Sequence, residues 1–497
     1  MNRTLTARQQ RWLWTLLVLA VGVRAATMGA YPLIDPSESR YAEIARKIVE
    51  TGQWLVPQFD YGVPFWGKPP LSFWLTAASL WVFGVNEFAA RLPSLLLMAG
   101  CGALVWRVAR THADRDTALL ATAVFATTAL VFVAAGAVLT DIALALGTTL
   151  SMAGFLGMLR TPSRLRNAAA FFLGLAIGLL AKGPIAVVLT ALPLALWTLW
   201  QRNGRAVWTQ VPWVAGTLAV AVMVVPWYWA VEIATPGFLD YFLVGEHWQR
   251  FTQPGWTGDR YGAGHAWRRG WIWLFWLAAA APWSVVLIDW SVRSVAAPRG
   301  KLRERLADPL WSYFALWTLA PMVFFTLSRN ILPSYVLPGL PALALLIAYG
   351  PLAGAAPRPL DRAETRGFVA AFVLAVAFVG ILVTQLPRID REYAQRALVR
   401  TFEAQRSDPA QRLVYLGDAP VSAAFYSQGK ARQVQHESML APYLADAPLD
   451  YFAIRADEVG LLSPVYRQRL ALVDAYGRFQ LYREMPREAG GGAPPAR

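Results

Sequence analysis

Apolar runs of about 20 residues recur along the chain from Trp12 to Leu386. A helix needs about 20 such residues to cross the roughly 30 Å hydrocarbon layer of a bilayer. In lipid only helices and closed barrels satisfy their own backbone hydrogen bonds. A length of 497 residues would otherwise suggest several soluble domains. Here 56% of the residues are hydrophobic, only 15% are charged, and 23 are Trp, which overrules that expectation. The sequence therefore predicts a polytopic α-helical membrane protein.

The net charge of +15 does not indicate a nucleic-acid partner. The arginines lie in short loops between apolar runs, as the excess of Lys and Arg in cytoplasmic loops requires. Basic loops fall at 3–11, 107–115, 160–166, 202–205, 293–305 and 358–366. Placing all of them in the cytoplasm predicts eleven spans near 12–34, 88–106, 117–139, 142–159, 168–182, 184–200, 207–231, 270–292, 309–327, 336–350 and 367–386. The N-terminus is then inside and the C-terminus outside. Arg3, Arg8 and Arg11 before the first run resemble a signal peptide, but Arg24 interrupts the cleavage region and many spans follow, so an uncleaved first helix is expected.

Leu71–Phe83 is too short to span. It reads as a juxtamembrane helix with Trp74 and Trp81 at headgroup depth. Residues 168–200 are flanked by basic loops on both sides and must cross twice, turning at Lys182-Gly183-Pro184. The single cysteine, Cys101, lies within an apolar run and excludes an internal disulfide framework.

After Leu386 the composition becomes charged and mixed. Leu413–Leu416, Tyr451–Ile454, Leu470–Val473 and Arg478–Arg483 read as strands between short helices. The expected organisation is a transmembrane domain over 1–387, a small α/β domain outside the membrane over 388–488, and a disordered Gly/Pro tail over 489–497.

This topology gathers ionisable residues on the outer side. The first loop supplies Asp35, Glu38, Arg40 and Lys68; later turns supply Asp141 and Lys182; the loop after the seventh span supplies Glu246, His247, Arg250, Asp259, Arg260 and His265; Ser328, Arg329 and Tyr335 follow the ninth. Charged groups at membrane depth are costly and point to function. Each also has a plainer reading. Arg40, Arg46 and Lys47 fit the solvated face of an interfacial helix, Asp141 fits a helix cap, and Lys182 fits a snorkelling side chain. Carboxylates among fixed cations suit one chemistry at a membrane surface. The cations bind a phosphate and neutralise it as it leaves, while a carboxylate activates or orients the nucleophile. A lipid phosphate is the natural ligand at that depth. The chain has no P-loop or other Gly-rich nucleotide cradle, which argues against a nucleotide-sugar donor.

Seven motifs carry a resemblance. They are DPSESRYAEIARKI at Asp35–Ile48, GKPPLSFW at Gly67–Trp74, FGVNEFAARLPS at Phe83–Ser94, TDIAL at Thr140–Leu144, AKGPI at Ala181–Ile185, GEHWQRF at Gly245–Phe251 and LPSYVLP at Leu332–Pro338. In this order and spacing they resemble the bacterial membrane glycosyltransferases of the GT-C fold. Nearest among these are the lipid A aminoarabinose transferases and the protein mannosyltransferase-like enzymes. The resemblance implies transfer of a sugar from an undecaprenyl-phosphate carrier, by direct displacement with inversion. It favours lipid A phosphate as acceptor, with protein or another surface glycan as the alternative. Asp35 or Glu38, together with Asp141, would be the catalytic carboxylates. Arg40, Tyr41, Lys68 and Lys182 would bind the carrier phosphate or donor, joined by His247, Arg250, His265 and Tyr335. The site would face the periplasm from the bacterial inner membrane. Two departures stand out. Ser37 occupies the place of an Asp directly before Glu38, and Gly67 replaces a Glu that can help to hold a divalent metal in the family. His265 is then the remaining candidate metal ligand. A transporter or flippase is the reading of another class, but neither paired halves nor broken midplane helices are evident.

Overall fold

The structure is a computed structural model, and it describes residues 3–262, 264–295, 306–350, 359–446 and 448–486. The expected tail over 489–497 lies outside them. The chain forms two compact units: residues 1–29 with 47–379, and residues 30–46 with 380–497. The division departs from the expected single boundary near 387, because helix Arg362–Glu392 runs through that boundary and the segment from Ala30 joins the C-terminal residues.

The first unit is helical. Four of its described helices are long and apolar enough to cross a membrane, Glu87–His112, Thr140–Arg160, Arg164–Lys182 and Trp213–Ala234, and so is Arg362–Glu392, which continues into the second unit. Helices Trp271–Ala279 and Trp283–Val292 pass the same test together but meet at 111°. Leu71–Phe83, Ile185–Trp200, Pro309–Phe325 and Pro333–Tyr349 are shorter and apolar.

Three of the expected runs are broken: 207–231 is split at Pro212 between helices Gly204–Gln210 and Trp213–Ala234, and the other two break for reasons of local bonding. Residues 117–139 form helices Arg115–Ala126 and Ala129–Ala134. Between them the Thr127 and Thr128 hydroxyls donate to the carbonyls of Ala123 and Val124, at 2.6 and 2.8 Å. The Ala129 amide donates to Ala281 instead, at 2.8 Å. Ser/Thr bonding to the preceding turn bends helices in this way. The run 270–292 bends just before Trp283, at Pro282, which lacks an amide hydrogen. The first helix ends at Thr27, well before the expected 34.

Helices Thr140–Arg160 and Arg164–Lys182 pack backbone to backbone. A Cβ at Gly147 would lie 2.7 Å from the Gly174 carbonyl, and one at Gly154 would lie 2.5 Å from the Phe171 amide. Small residues at helix crossings are how helices approach in lipid, where no hydrophobic force drives them together. Elsewhere in this unit Arg3 is buried and pairs with Glu364 at 2.7 Å. A short hairpin, β1 (Gln58–Asp60) with β2 (Val63–Pro64), precedes Lys68.

The second unit is built on a five-stranded sheet of β3 (Leu413–Leu416), β4 (Arg432–Val434), β5 (Tyr451–Arg455), β6 (Leu470–Tyr476) and β7 (Phe479–Glu484), in the order β4-β3-β5-β7-β6. β3 runs parallel to β4 and β5, and β7 pairs antiparallel with β5 and β6. Both faces are covered, so β3 is buried at every position. Leu398, Val399 and Phe402 of helix Arg396–Gln405 cover one face, and Leu440, Leu444 and Leu462 cover the other.

Candidate active site

Lys68 follows the hairpin and precedes Pro69-Pro70, after which helix Leu71–Phe83 begins. Its ammonium donates to the Gly67 carbonyl at 2.5 Å and to Glu246 Oε2 at 2.9 Å. Glu246 lies on a π-helix, Asp240–Gln249. In such a helix residues i and i+5 stack on one face, and two such pairs here make bonds. Tyr241 Oη donates to Glu246 at 3.2 Å, and His247 Nδ1 lies 2.7 Å from the Phe242 carbonyl. Arg250 continues this segment and reaches both Glu246 oxygens at 3.1 Å and Asp259 at 3.2 Å. Burial pushes the Glu246 carboxyl up, but Lys68 and Arg250 outweigh it and hold the group below the usual carboxylate range.

A second ion pair stands beside the first. Asp141 opens helix Thr140–Arg160 and accepts a hydrogen bond from Lys182, the last residue of its own helix. Gly183 turns the chain there with φ +79°, and Pro184 starts the next helix. Position 183 has no room for a side chain, since a Cβ would lie 2.6 Å from the Phe242 ring. The Lys182 ammonium sits 4.2 Å from the centre of the Tyr335 ring. His247 Nε2 lies 3.2 Å from the Lys182 carbonyl, so this ring ties the π-helix to the Lys182 turn. Burial lowers the His247 pKa, against the Phe242 and Lys182 carbonyls, which favour the charged ring.

These residues border a cavity of about 380 Å³. Lys68, Lys182, Glu246, His247, Arg250 and Tyr335 contribute its polar lining; Ile185, Val188, Phe251, Phe324 and Phe325 contribute an apolar one. Two buried donors on the lining, Arg250 Nε and Asn330 Nδ2, find no acceptor among the described residues. Buried donors are almost always satisfied, so the cavity has the character of a site awaiting an acceptor-rich group.

The structure thus brings together Asp141, Lys68, Lys182, His247, Arg250 and Tyr335 from the sequence expectations. Glu246 and Asp259 were visible as outer-loop charges, but nothing in the sequence marked Glu246 as the hub. Asn330 carried no signal. His265 is exposed; its backbone amide donates to Asn330 Oδ1 at 3.2 Å. Among the described residues no group of three or more His, Cys, Asp or Glu could hold a metal ion. A side chain at Gly67 would meet the Phe65 ring at 2.9 Å, so this fold has no room for the carboxylate that the resemblance places there. These residues do not fit the divalent metal that the resemblance implies.

Asp35, Glu38, Arg40 and Tyr41 belong to the second unit. Asp35 Oδ1 accepts from Ser39 Oγ at 2.5 Å and from the Ser422 amide at 2.9 Å, and Oδ2 accepts from Ser422 Oγ. Burial raises its pKa, against the opposing bonds from Ser39 and Ser422. Glu38 accepts from the Ile34 amide at 3.1 Å. Arg40 Nε is buried without a partner among the described residues.

Residues 10–242 match the family of dolichyl-phosphate-mannose-protein mannosyltransferases. The undecaprenyl phosphate-alpha-4-amino-4-deoxy-L-arabinose arabinosyl transferase of Erwinia tasmaniensis is 31% identical over 324 residues, 64% of this chain and 55% of that protein. The enzyme of the same name from Pseudomonas paraeruginosa is 31% identical over 348 residues, 68% of this chain and 60% of that protein. The chain therefore spans little more than half the length of the curated relatives it matches. The crystal structure of ArnT from Cupriavidus metallidurans bound to undecaprenyl phosphate superposes with a TM-score of 0.73 at 20% identity, over 97% of this chain and 99% of that one. The fold is that of ArnT. Its apo structure aligns with the same TM-score over 95% of this chain. The resemblance to polyprenyl-phosphate-sugar glycosyltransferases read from the seven motifs is thus shared by family, relatives and ArnT fold.

Proposed function

We propose that the protein is an integral-membrane glycosyltransferase that moves a sugar from an undecaprenyl-phosphate carrier to an acceptor outside the cytoplasm, lipid A phosphate being the favoured acceptor. The observation that carries this reading is the cavity of about 380 Å³ that joins an apolar lining to Lys68, Lys182 and Arg250, with Arg250 Nε and Asn330 Nδ2 unsatisfied on its wall. A prenyl chain suits the apolar side, and a phosphate diester suits the cations and the waiting donors. The acceptor oxygen attacks the anomeric carbon, the bond to carrier phosphate breaks, and the carrier leaves as a monophosphate. Lys68, Arg250 and Lys182 stabilise the charge that grows on it. A phosphate acceptor is already an anion and needs orientation; a hydroxyl acceptor needs a base, for which the candidate is Asp141, the partner of Lys182 on the cavity wall. Asp35, with both oxygens engaged by Ser39 and Ser422, is better suited to holding the second unit together than to taking a proton.

The test compares Lys68→Ala, Lys68→Arg and Lys430→Ala for donor-dependent turnover in nanodiscs. A charge-assisted contact is worth about 1.5–3 kcal/mol, so Lys68→Ala should slow transfer roughly tenfold to a hundredfold. Lys68→Arg should recover part of it, because charge is kept while geometry changes. Lys430 is exposed on the second unit and should not matter. Equal turnover in Lys68→Ala and Lys430→Ala would sink the phosphate assignment.

The same reading includes eleven spans, the bacterial inner membrane, and a site and C-terminal domain facing the periplasm. It is supported by the basic loops and by the apolar helices. Cys101 is fully buried, so a Cys101→Ala background serves for labelling. Arg205→Cys should be shielded from an impermeant thiol reagent in intact cells, and Lys430→Cys should react. The reverse pattern would invert the orientation.

A further inference from the structure

Helix Arg164–Lys182 has two functional ends. Lys182 belongs to the cavity described above. With 19 residues the helix is roughly 27 Å long, close to the roughly 30 Å thickness of the hydrocarbon layer. Its other end opens on a separate cleft of about 190 Å³ between helices Glu87–His112, Thr140–Arg160 and Arg164–Lys182. A water occupies on the order of 30 Å³, so the cleft has room for a group several waters in size.

The lining of this cleft is basic and polar. Arg107 and Arg166 supply the charges, His112, Thr161, Ser163 and Asn167 supply hydrogen-bonding groups, and no lining residue is acidic. Among the described residues no carboxylate forms an ion pair with Arg107, His112 or Arg166. The carboxylates next along the chain are already engaged: Asp114 accepts from the Thr117 and Arg3 amides, and Asp116 accepts from the Leu5 amide and the Gln10 side chain. Arg107 reaches Asn167 Oδ1 at 3.4 Å, and Asn167 Nδ2 donates to Thr161 at 2.7 Å, so the buried Asn167 amide braces the floor. Gly157 leaves room for that amide; a Cβ there would lie 2.6 Å from it.

The helix start on this cleft also lacks an anion. Ser163 makes no side-chain cap bond, and the first turn of Arg164–Lys182 has no acidic residue. Helix N-termini leave amide hydrogens without partners and carry a partial positive charge, which is why they bind phosphates. The lining therefore presents two guanidinium groups with no carboxylate among the residues that form it.

We infer that this cleft is a binding site for a phosphate ester, and that it sits at the opposite membrane interface from the transfer site. Basic pockets between helices on the cytoplasmic side suit anionic lipid headgroups, and the length of the connecting helix puts the cleft at that depth.

The purified full-length protein is mixed with phosphatidylglycerol and phosphatidylcholine, and retained lipid is counted by native mass spectrometry. Inorganic phosphate is added separately, and the unfolding temperature is followed. Arg107→Ala/Arg166→Ala should retain about tenfold less phosphatidylglycerol than wild type, while Arg107→Lys/Arg166→Lys and the exposed control Arg205→Ala keep most of it. A phosphate-dependent rise in unfolding temperature that the Ala pair abolishes, with lipid counts unchanged, would support the site and make its ligand a soluble phosphate ester. If wild type and the Ala pair agree in both measurements, the inference is overturned. Should the Ala pair not fold, Arg166→Gln replaces it, since that side chain is exposed; no change in either measurement would then overturn it equally.

Discussion

Glu246→Gln is expected to destabilise the folded protein by about 3–5 kcal/mol, the range for removing one member of a buried ionic cluster. The side chain is 3% exposed and separates Lys68 from Arg250. An amide would leave two cations facing each other with one counter-charge removed. The pH dependence follows from the direction of the shift. The Glu246 pKa is held below its ordinary 4.5, so its stabilisation is fully present above that value and is lost as pH falls through the lower folded value. Thermal unfolding of wild type in detergent should therefore show an acid limb that the Gln variant lacks. A variant as stable as wild type, with the same acid limb, would mean that Glu246 does not hold the cluster.

The second large effect concerns Asp141 and Lys182. Their side chains are 8% and 11% exposed. Lys182→Met should strand the carboxylate and lower stability by a similar amount, about 3–5 kcal/mol. Asp141→Asn should do the same to the ammonium. The double variant should recover most of the stability, because both charges are gone together. Turnover separates the roles. If the pair works on substrate, the double variant stays at least about tenfold slower than wild type despite folding well, since one charge-assisted contact is worth more than 1.4 kcal/mol. Recovery of both stability and turnover would make the pair a structural clasp between two helices.

Much of the architecture was legible because hydropathy and loop charge are strong signals. The turn at Lys182-Gly183-Pro184, the short helix Leu71–Phe83 and four of the five C-terminal strands lie where the sequence puts them. The breaks at Thr127-Thr128 and before Trp283 were not legible. Hydropathy averages over a window and does not register two hydroxyls bonding backward, or one missing amide hydrogen. β4 is three residues long with two of them exposed, too weak a pattern to register. The Lys and Arg partners of the site were legible as costly charges. The centrality of Glu246 was not, because it depends on π-helical spacing that pairs Tyr241 with Glu246 and Phe242 with His247. At Asp35 it was the partners that sequence did not show. An acid near the membrane suggested chemistry, while its partners Ser39 and Ser422 lie 4 and 387 residues away in sequence.

The resident carboxylates bear on how the proposed reaction turns over. Lys68, Lys182 and Arg250 each already have an acidic neighbour in Glu246, Asp141 or Asp259. Three positive and three negative charges cancel, so the cluster exerts little net pull at a distance and acts through close contacts. A diester donor carries one negative charge, and the monophosphate left after transfer carries up to two. A wall of unopposed cations would hold the spent carrier more firmly than the loaded one and slow each cycle at its last step. A wall whose cations keep their own counter-ions reorganises around the phosphate as it arrives and closes on itself again as it departs. Balanced in this way, the site trades tightness of grip for ease of letting go.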